Sequence, residues 1–429
     1  MVRINWRKYP KDIINIKLYY SNITELNWEG CPPELRYIYL ASNVIKKINW
    51  KGCPPGLTMI DLSYNDISEM NWEGCPSGLT EIHLSNNNIS EMNWEGCPSG
   101  LTEIHLSNNN ISEMNWEGCP PGLISPCLNG NKIKNIVWED CPSSLTNIYL
   151  TDNWITELNW KGCPPGLTKI HLNNNKITAM VWKDCPSSLA EIYLANNSIT
   201  TMNWKDCPSG LFKIDLDCNK ITNIVWENCP KKLRYIYLNK NYIKEINWNG
   251  SPLELNTIEL LSNEIKEMKW KESPPELKYI GLTNNKITEM DWKECPLELR
   301  YITLDRNFIK ELNWKGCPLG PTEIRLDYNP IIKLNWKYVS WNFYFPFSVY
   351  LNNKYNEYKE SRDNIPDLPY QCMTDEHKEF ISELINVLYL PPQCLDNNEF
   401  DSSYYKYPLY KNGGAYYKIL MEEYREMKK

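Results

Sequence analysis

The chain has 429 residues, 42% of them hydrophobic, and a formal net charge of −7. That supply of apolar residues supports a sizeable core and excludes wholesale disorder, and the mild negative charge excludes a general polyanion binder. No run of about 18 apolar residues occurs, so no membrane-spanning helix is expected, and the start "MVRINWRKYPKD" lacks the apolar run of a signal peptide.

After a short N-terminal stretch, residues 1–12, which reads as a partial repeat or cap, one period organises the chain as far as residue 337. Tryptophan sets the register: Trp6, Trp28, Trp50, Trp72 and onward to Trp336 stand 22 apart, accounting for sixteen of the 18 tryptophans. Only Trp154 and Trp341 fall outside the rule. Counted from the leading Leu, each unit reads L-x-x-I-x-L-x-x-N-x-I-x-x-(I/L/M)-x-W-x-x-C-P-x-x, and residues 13–337 hold 15 of them. Two consecutive copies, from Leu79 and from Leu101, differ only in Ser99 against Pro121. A fixed period without insertions predicts a solenoid with coils of equal length.

The segment x-I-x-L-x alternates with period two, as a strand with one buried face does. One coil cannot bury its Ile and Leu alone, so stacked coils are expected to share a parallel sheet over a continuous core. The Asn of the unit, Asn43 to Asn329, occurs in 14 of 15 coils; the first has Ser21 instead. It sits where the chain leaves the strand, and its amide is expected to bond backbone groups that would otherwise be buried unpaired. The Trp-Cys-Pro half excludes a regular helix and predicts extended segments with at most short 3-10 turns. Twelve of the 16 cysteines, Cys31 to Cys317, share one column, in which Ser251 and Ser273 also stand. A position that accepts Cys or Ser reads as a small packing site with reduced thiols, which points to the cytoplasm, or the host-cell cytoplasm for a viral protein.

The half-unit "LTEIHLSNNNI" resembles the L-x-x-L-x-L-x-x-N-x-L segment of the leucine-rich-repeat family. The second half, "EMNWEGCPSG", is similar in style to bacterial-type repeats and to the FNIP repeats of amoebae and their giant viruses, although the Phe-Asn signature is missing. The resemblance covers about three quarters of the chain. It implies an α/β repeat solenoid: a leucine-rich-repeat horseshoe with a concave parallel sheet, a mostly extended or 3-10 convex side, and a role in binding proteins.

One unit departs from the pattern. "LISPCLNGNKI" puts Pro126 where the other fourteen have Ile, and proline lacks a ladder donor. A bulge or broken pairing is expected there. Beyond residue 337 the composition changes: five of the seven Phe and 14 of the 28 Tyr lie from residue 338 onward. "TDEHKEFISELINVLYLPP" reads as an amphipathic helix capped by Thr374 and stopped at Pro391, and a second helix is expected from Ala415. Residues 338–429 thus read as a small α-rich domain that caps the solenoid or docks a partner.

Catalytic chemistry is sparse. No C-x-x-C, phosphate-binding glycine loop or nucleophile elbow occurs. His83, His105 and His171 share the fifth position of their units, and Glu81 and Glu103 precede the first two by two residues. Such Glu–His pairs could hold zinc or simply hydrogen-bond; with no further ligand in view, no metal and no cofactor are expected. Some bacterial-type repeat proteins carry a ubiquitin-ligase domain with a Cys-x-Asp motif, and Cys394-Leu395-Asp396 matches those three letters. The tail is much shorter than such a domain, so a ligase or adaptor role acting through it is the alternative function and a non-enzymatic scaffold the first.

Positions 3 and 5 of each unit face outward from the sheet. Tyr37, Tyr39, Tyr149, Tyr193, Tyr235, Tyr237, Tyr279 and Tyr301 stand there together with the three histidines. The charge between them is mixed: Lys17, Lys169, Lys213 and Arg325 against Asp61, Glu81, Glu103, Asp215 and Glu259. A mixed, tyrosine-rich concave face suits a protein partner rather than nucleic acid, a membrane or a small-molecule substrate. Tyr235 and Tyr237, with Tyr193 below, Tyr242 beside and Tyr279 above, are the expected centre.

Overall fold

The computed structural model describes residues 2–335 apart from 314, 318–322, 327 and 331–332. The chain divides into two units, Met1–Tyr355 and Asn356–Lys429, and every described residue belongs to the first. The expected helices from Thr374 and from Ala415, and the Cys394–Asp396 motif, lie outside the described residues.

Every coil but the one holding Pro126 contributes a three-residue strand at positions 3 to 5, such as Glu81–His83 and Glu103–His105. All pairings are parallel and shifted by one period, so Ile82 stands beside Ile104 and His83 beside His105. The middle residue is buried and, except at Met59 and Gly281, its two neighbours are at least partly exposed, which is the alternation read from the sequence. The strands form a five-stranded sheet from Asn15–Lys17 to Glu103–His105 and a nine-stranded sheet from Asn147–Tyr149 to Glu323–Arg325. Between them the Pro126 coil makes only isolated bridges through Cys127, to His105 and Tyr149. Broken pairing is therefore the outcome at Pro126.

Behind the sheet the frame residues are buried in columns. Leu101, Ile104, Leu106 and Ile111 are at most 1% exposed, and Trp116 is as buried as they are. The tryptophans stack along the solenoid, Trp72 on Trp94 and Trp94 on Trp116 at 6.5 Å and 9°. Each ring also needs a partner for its N–H. Trp94 donates to the carbonyl of Asn115 in the next coil at 2.7 Å, and Trp182 to that of Asn203 at 2.6 Å. Trp154, off the period, is 42% exposed.

The asparagine column completes the frame. Asn109 donates to the carbonyls of Leu84 and Leu106 at 2.9 and 3.0 Å and accepts the amide of Ile89 at 3.0 Å. One side chain thus satisfies backbone groups of two coils, and the pattern recurs along the column, as in Asn175 and Asn285.

Opposite the sheet the chain runs through turns. Cys97 N–H bonds the Trp94 carbonyl at 2.9 Å, and Leu101 N–H bonds that of Pro98 at 3.1 Å. The turn needs a left-handed residue: Gly96 has φ +77° and packs its Cα side against Trp72 of the preceding coil. Among the described residues the only helical turn is a 3-10 turn at Trp6–Lys8. Short parallel pairs, Glu267–Met268 with Glu289–Met290 and Glu311–Asn313 with Lys333–Asn335, form late in the array. The cysteine column is less enclosed than the sequence suggests: its members pack against the core but are half-buried, Cys295 alone being fully buried. Burial still pushes Cys31, Cys75 and Cys119 up to about 12, so these thiols stay protonated.

Candidate functional site

Because the strands stay in register, each outward position forms a row running across the sheet. The fifth-position row contains His83, His105, Cys127, Tyr149, His171, Tyr193, Asp215, Tyr237 and Glu259 in successive coils. Its middle is an aromatic stack. The rings of Tyr149 and His171 lie 4.7 Å apart at 18°, and those of His171 and Tyr193 lie 4.4 Å apart at 3°. Burial lowers the pKa of His171, and Lys169 adds to that, so its imidazole is neutral at pH 7 and stacks as an aromatic ring.

Side chains from the third-position row lock this stack. Tyr193 donates its hydroxyl to Glu191 at 2.5 Å, and Lys169 approaches the same carboxylate at 3.1 Å. Burial alone would raise Glu191, but the hydrogen bonds from Tyr193 and Lys169 outweigh it and hold the carboxyl below its ordinary range. Lys213 extends over two rings, 5.1 Å from the centre of Tyr193 and 5.4 Å from that of Tyr237. The cation is thus shared by two aromatic faces.

Beyond Tyr237 lies an acidic corner that the sequence pattern did not reveal. Asn239, buried at the seventh position, donates to Asp217 at 3.0 Å and to Glu259 at 2.8 Å. Its backbone N–H bonds Asp217 at 2.7 Å, and its side-chain Oδ1 accepts the Leu261 amide at 2.7 Å. Burial pushes Asp217 up to about 6 despite those bonds, with the charges of Asp215 and Glu259 adding to the rise. The signal for this corner was Asp or Asn at a position otherwise held mostly by small residues, and only the register brings Glu259 into it.

The remaining candidates fall into separate groups. Tyr37 and Tyr39 lie near the N-terminal end, where Lys17 sits 5.5 Å over the Tyr39 ring and Tyr19 packs 5.9 Å from it. Tyr235 neighbours Lys213 and Thr257, with Phe212 edge-on at 6.4 Å. Tyr279 and Tyr301 are direct neighbours across the ladder. Within the expected centre, Tyr193 is two strands from Tyr237, with Asp215 between, and Tyr279 is two strands from Tyr235, with Thr257 between. Each pair is 44 rather than 22 residues apart in sequence, and Lys213 joins Tyr193 to Tyr237.

His83 and His105 are in contact, 4.4 Å between ring centres, and each bonds the glutamate of its own strand, at 2.6 Å to Glu81 and 2.7 Å to Glu103. Among the described residues no group of three or more His, Cys, Asp or Glu side chains is arranged to hold a metal ion, and no helix is long and apolar enough to cross a membrane.

No protein-family model and no characterised protein matches the sequence. Solved structures do match in shape. The functional domain of InlJ from Listeria monocytogenes, which includes a cysteine ladder, aligns with a TM-score of 0.53 at 19% identity over 70% of this chain and 65% of that one. YopM, a leucine-rich effector protein from Yersinia pestis, aligns at 0.55 and 23% identity, over 71% of this chain and 80% of its own. A chain of the Drosophila Toll–Spatzle complex aligns at 0.60 and 17% identity, over 72% of this chain and 50% of its own. The solenoid has the leucine-rich-repeat fold. At these identities the likeness is one of fold, and the chain spans less than two thirds of the InlJ and Toll-complex chains.

Proposed function

We propose that this leucine-rich-repeat solenoid is a non-enzymatic scaffold that docks a protein partner on the solvent face of its sheet, the concave side in such folds. The observation that carries this reading is the continuous row Tyr149–His171–Tyr193 with Lys213 shared between Tyr193 and Tyr237. Rigid aromatic groups held in place before binding lose little entropy on docking, and a flanking cation and carboxylates supply orientation. Leucine-rich-repeat neighbours support the reading, one of them solved in the Toll–Spatzle complex. The partner expected is a folded protein or peptide presenting apolar and acidic groups to the Tyr193–Lys213–Tyr237 segment and a basic group to the Asp217–Glu259 corner.

The test is affinity capture from the native host with the intact chain, followed by binding measurements on the captured partner. Tyr193→Ala with Tyr237→Ala is expected to weaken binding by about 2 kcal/mol per anchor, roughly 30-fold each. Binding that survives this change but is lost on deleting residues 338–429 refutes the reading and makes the tail the binding module. We also propose a cytoplasmic location, supported by the column of free thiols. Recovery of bridged pairs such as Cys75–Cys97, after denaturing alkylation without reductant, would reject it.

A further inference from the structure

Cys127 differs from the other cysteines in its surroundings. The twelve cysteines of the repeat column lie beside Trp and Pro, where Cys31 and Cys119, for example, offer their S–H to the carbonyls of Pro32 and Pro120 at 3.8 and 3.9 Å. Cys127 instead occupies the fifth position of the Pro126 coil, on the solvent face of the sheet, directly across the bridge from His105. His105 in turn holds Glu103 on its Nε2 at 2.7 Å. The Asn129 amide approaches the Cys127 sulfur at 3.8 Å. Carboxylate, imidazole and thiol of Glu103, His105 and Cys127 therefore stand side by side, with the Asn129 amide as a polar donor near the sulfur. The duplicated unit supplies a second Glu–His pair, Glu81 and His83, but the neighbours of His83 in its row are Asp61 and His105, not a cysteine.

We propose that Cys127 is a nucleophilic thiol, with His105 as its proton acceptor and Glu103 orienting the imidazole, and that it is a site of S-thiolation by small disulfides. The proton moves from Sγ to the free ring nitrogen of His105. The thiolate attacks one sulfur of the disulfide, a mixed disulfide forms at Cys127, and the other half leaves as a thiolate that takes up the proton. Cys127 is oxidised and the incoming disulfide is reduced to one equivalent of thiol. The attached group then stands beside Tyr149, the first ring of the aromatic stack.

The electrostatics agree with the geometry. The neighbouring Cys127 side chain is the main cause that pushes His105 up to about 9, with Glu103 assisting against burial. The Cys127 thiol is lowered by His105 and Ser107 although burial opposes it, whereas burial raises Cys218 and the thiols of the repeat column. A thiolate paired with an imidazolium is the reactive form of cysteine near neutral pH.

The experiment treats the intact chain with oxidised glutathione at pH 7 and maps the adduct over time. Cleavage after Glu117 and Lys132 leaves Cys127 in a peptide with Cys119 only, and fragment ions separate the two. Cys127 is expected to acquire glutathione at least about tenfold faster than any column cysteine. His105→Gln should slow that step by about tenfold and move the pH–rate profile of Cys127 toward that of an ordinary thiol, with the tryptophan fluorescence of the frame unchanged. His83→Gln, which keeps the Glu103–His105–Cys127 row, should leave the rate within about twofold. Glutathione spread evenly over the column, or a His105→Gln chain with the wild-type rate and profile, overturns the proposal.

Discussion

The two sheets on either side of the Pro126 coil share one period and one interior, yet the ladder between them is interrupted. Pro126 removes a donor, Ile124 N–H reaches Thr102 at a long 3.3 Å, and Tyr149 N–H reaches Pro126 at 3.4 Å. The side-chain columns show no such break. Leu123, Leu128 and Ile133 are fully buried, and Trp138 is 2% exposed and donates to Asn159 at 2.6 Å. Asn131 bonds Leu106, Leu128 and the Ile111 amide at 3.0 Å each, as its equivalents do elsewhere. A coil in this array is thus held by its columns of Trp, Asn, Leu and Ile, and the strand ladder is locally dispensable. That freedom is what lets positions on the outer face vary.

The largest effects should come from the frame, and equally on both sides of the break. Trp138→Ala in the interrupted coil and Trp204→Ala in a coil that contributes to the nine-stranded sheet each remove a stacked, hydrogen-bonded indole. Each is expected to cost about 4 kcal/mol in chemical denaturation analysed with coupling between neighbouring coils. A cost at Trp138 of less than about half that at Trp204 would mean that the frame, too, is loosened by Pro126. Asn131→Ala comes next: it strips partners from two buried carbonyls and one buried amide, at about 3 kcal/mol. Asn175→Ala should match it within about 0.5 kcal/mol if the columns are independent of the ladder.

Pro126→Ile attacks the difference itself. Isoleucine restores the residue type of the other coils and returns an N–H to the ladder, so the two sheets should join. A gain of about 1.5 kcal/mol is expected, with slowed hydrogen exchange at residue 127 and a protected new amide at residue 126. Unchanged exchange would show that something other than the missing donor keeps the strands apart.

The frame was legible in the sequence because burial repeats: a column of sixteen tryptophans or fourteen asparagines announces a common environment. Pro126 was legible for the opposite reason, as one exception to a strict rule. The outer face was not readable in the same way. Its rows mix Tyr, His, Lys, Asp and Cys, and their contacts depend on which residues stand one coil apart. Counting 22 from Tyr193 gives Asp215, not Tyr237, which is why Lys213 rather than direct ring contact links Tyr193 and Tyr237. The pairing of His105 with Cys127 was hidden because Cys127 belongs to the one degenerate unit and lies outside the cysteine column.

The smallest expected effect concerns a seventh-position row that also differs between the sheets. In the five-stranded half it carries Ser63, Ser85 and Ser107, whereas the nine-stranded half has Asp217 and Asn239 there. Asp217 serves the ladder by accepting the Asn239 amide, but a half-buried carboxylate facing Asp215 and Glu259 is held up at about 6, against 3.8 in the unfolded chain. A folded-state value above the unfolded one means that the folded chain binds this proton more tightly. Its stabilising contribution is therefore complete below about 3.8 and is lost as the pH rises through about 6. Asp217→Asn keeps an oxygen acceptor for the Asn239 amide and removes the titration. Between pH 7 and pH 4.5 the wild-type chain should gain on the order of 1 kcal/mol relative to Asp217→Asn, after allowance for solvent screening. Thermal or urea unfolding of both chains at the two pH values measures that difference, and parallel pH responses would show that Asp217 is ionised in the folded protein at both.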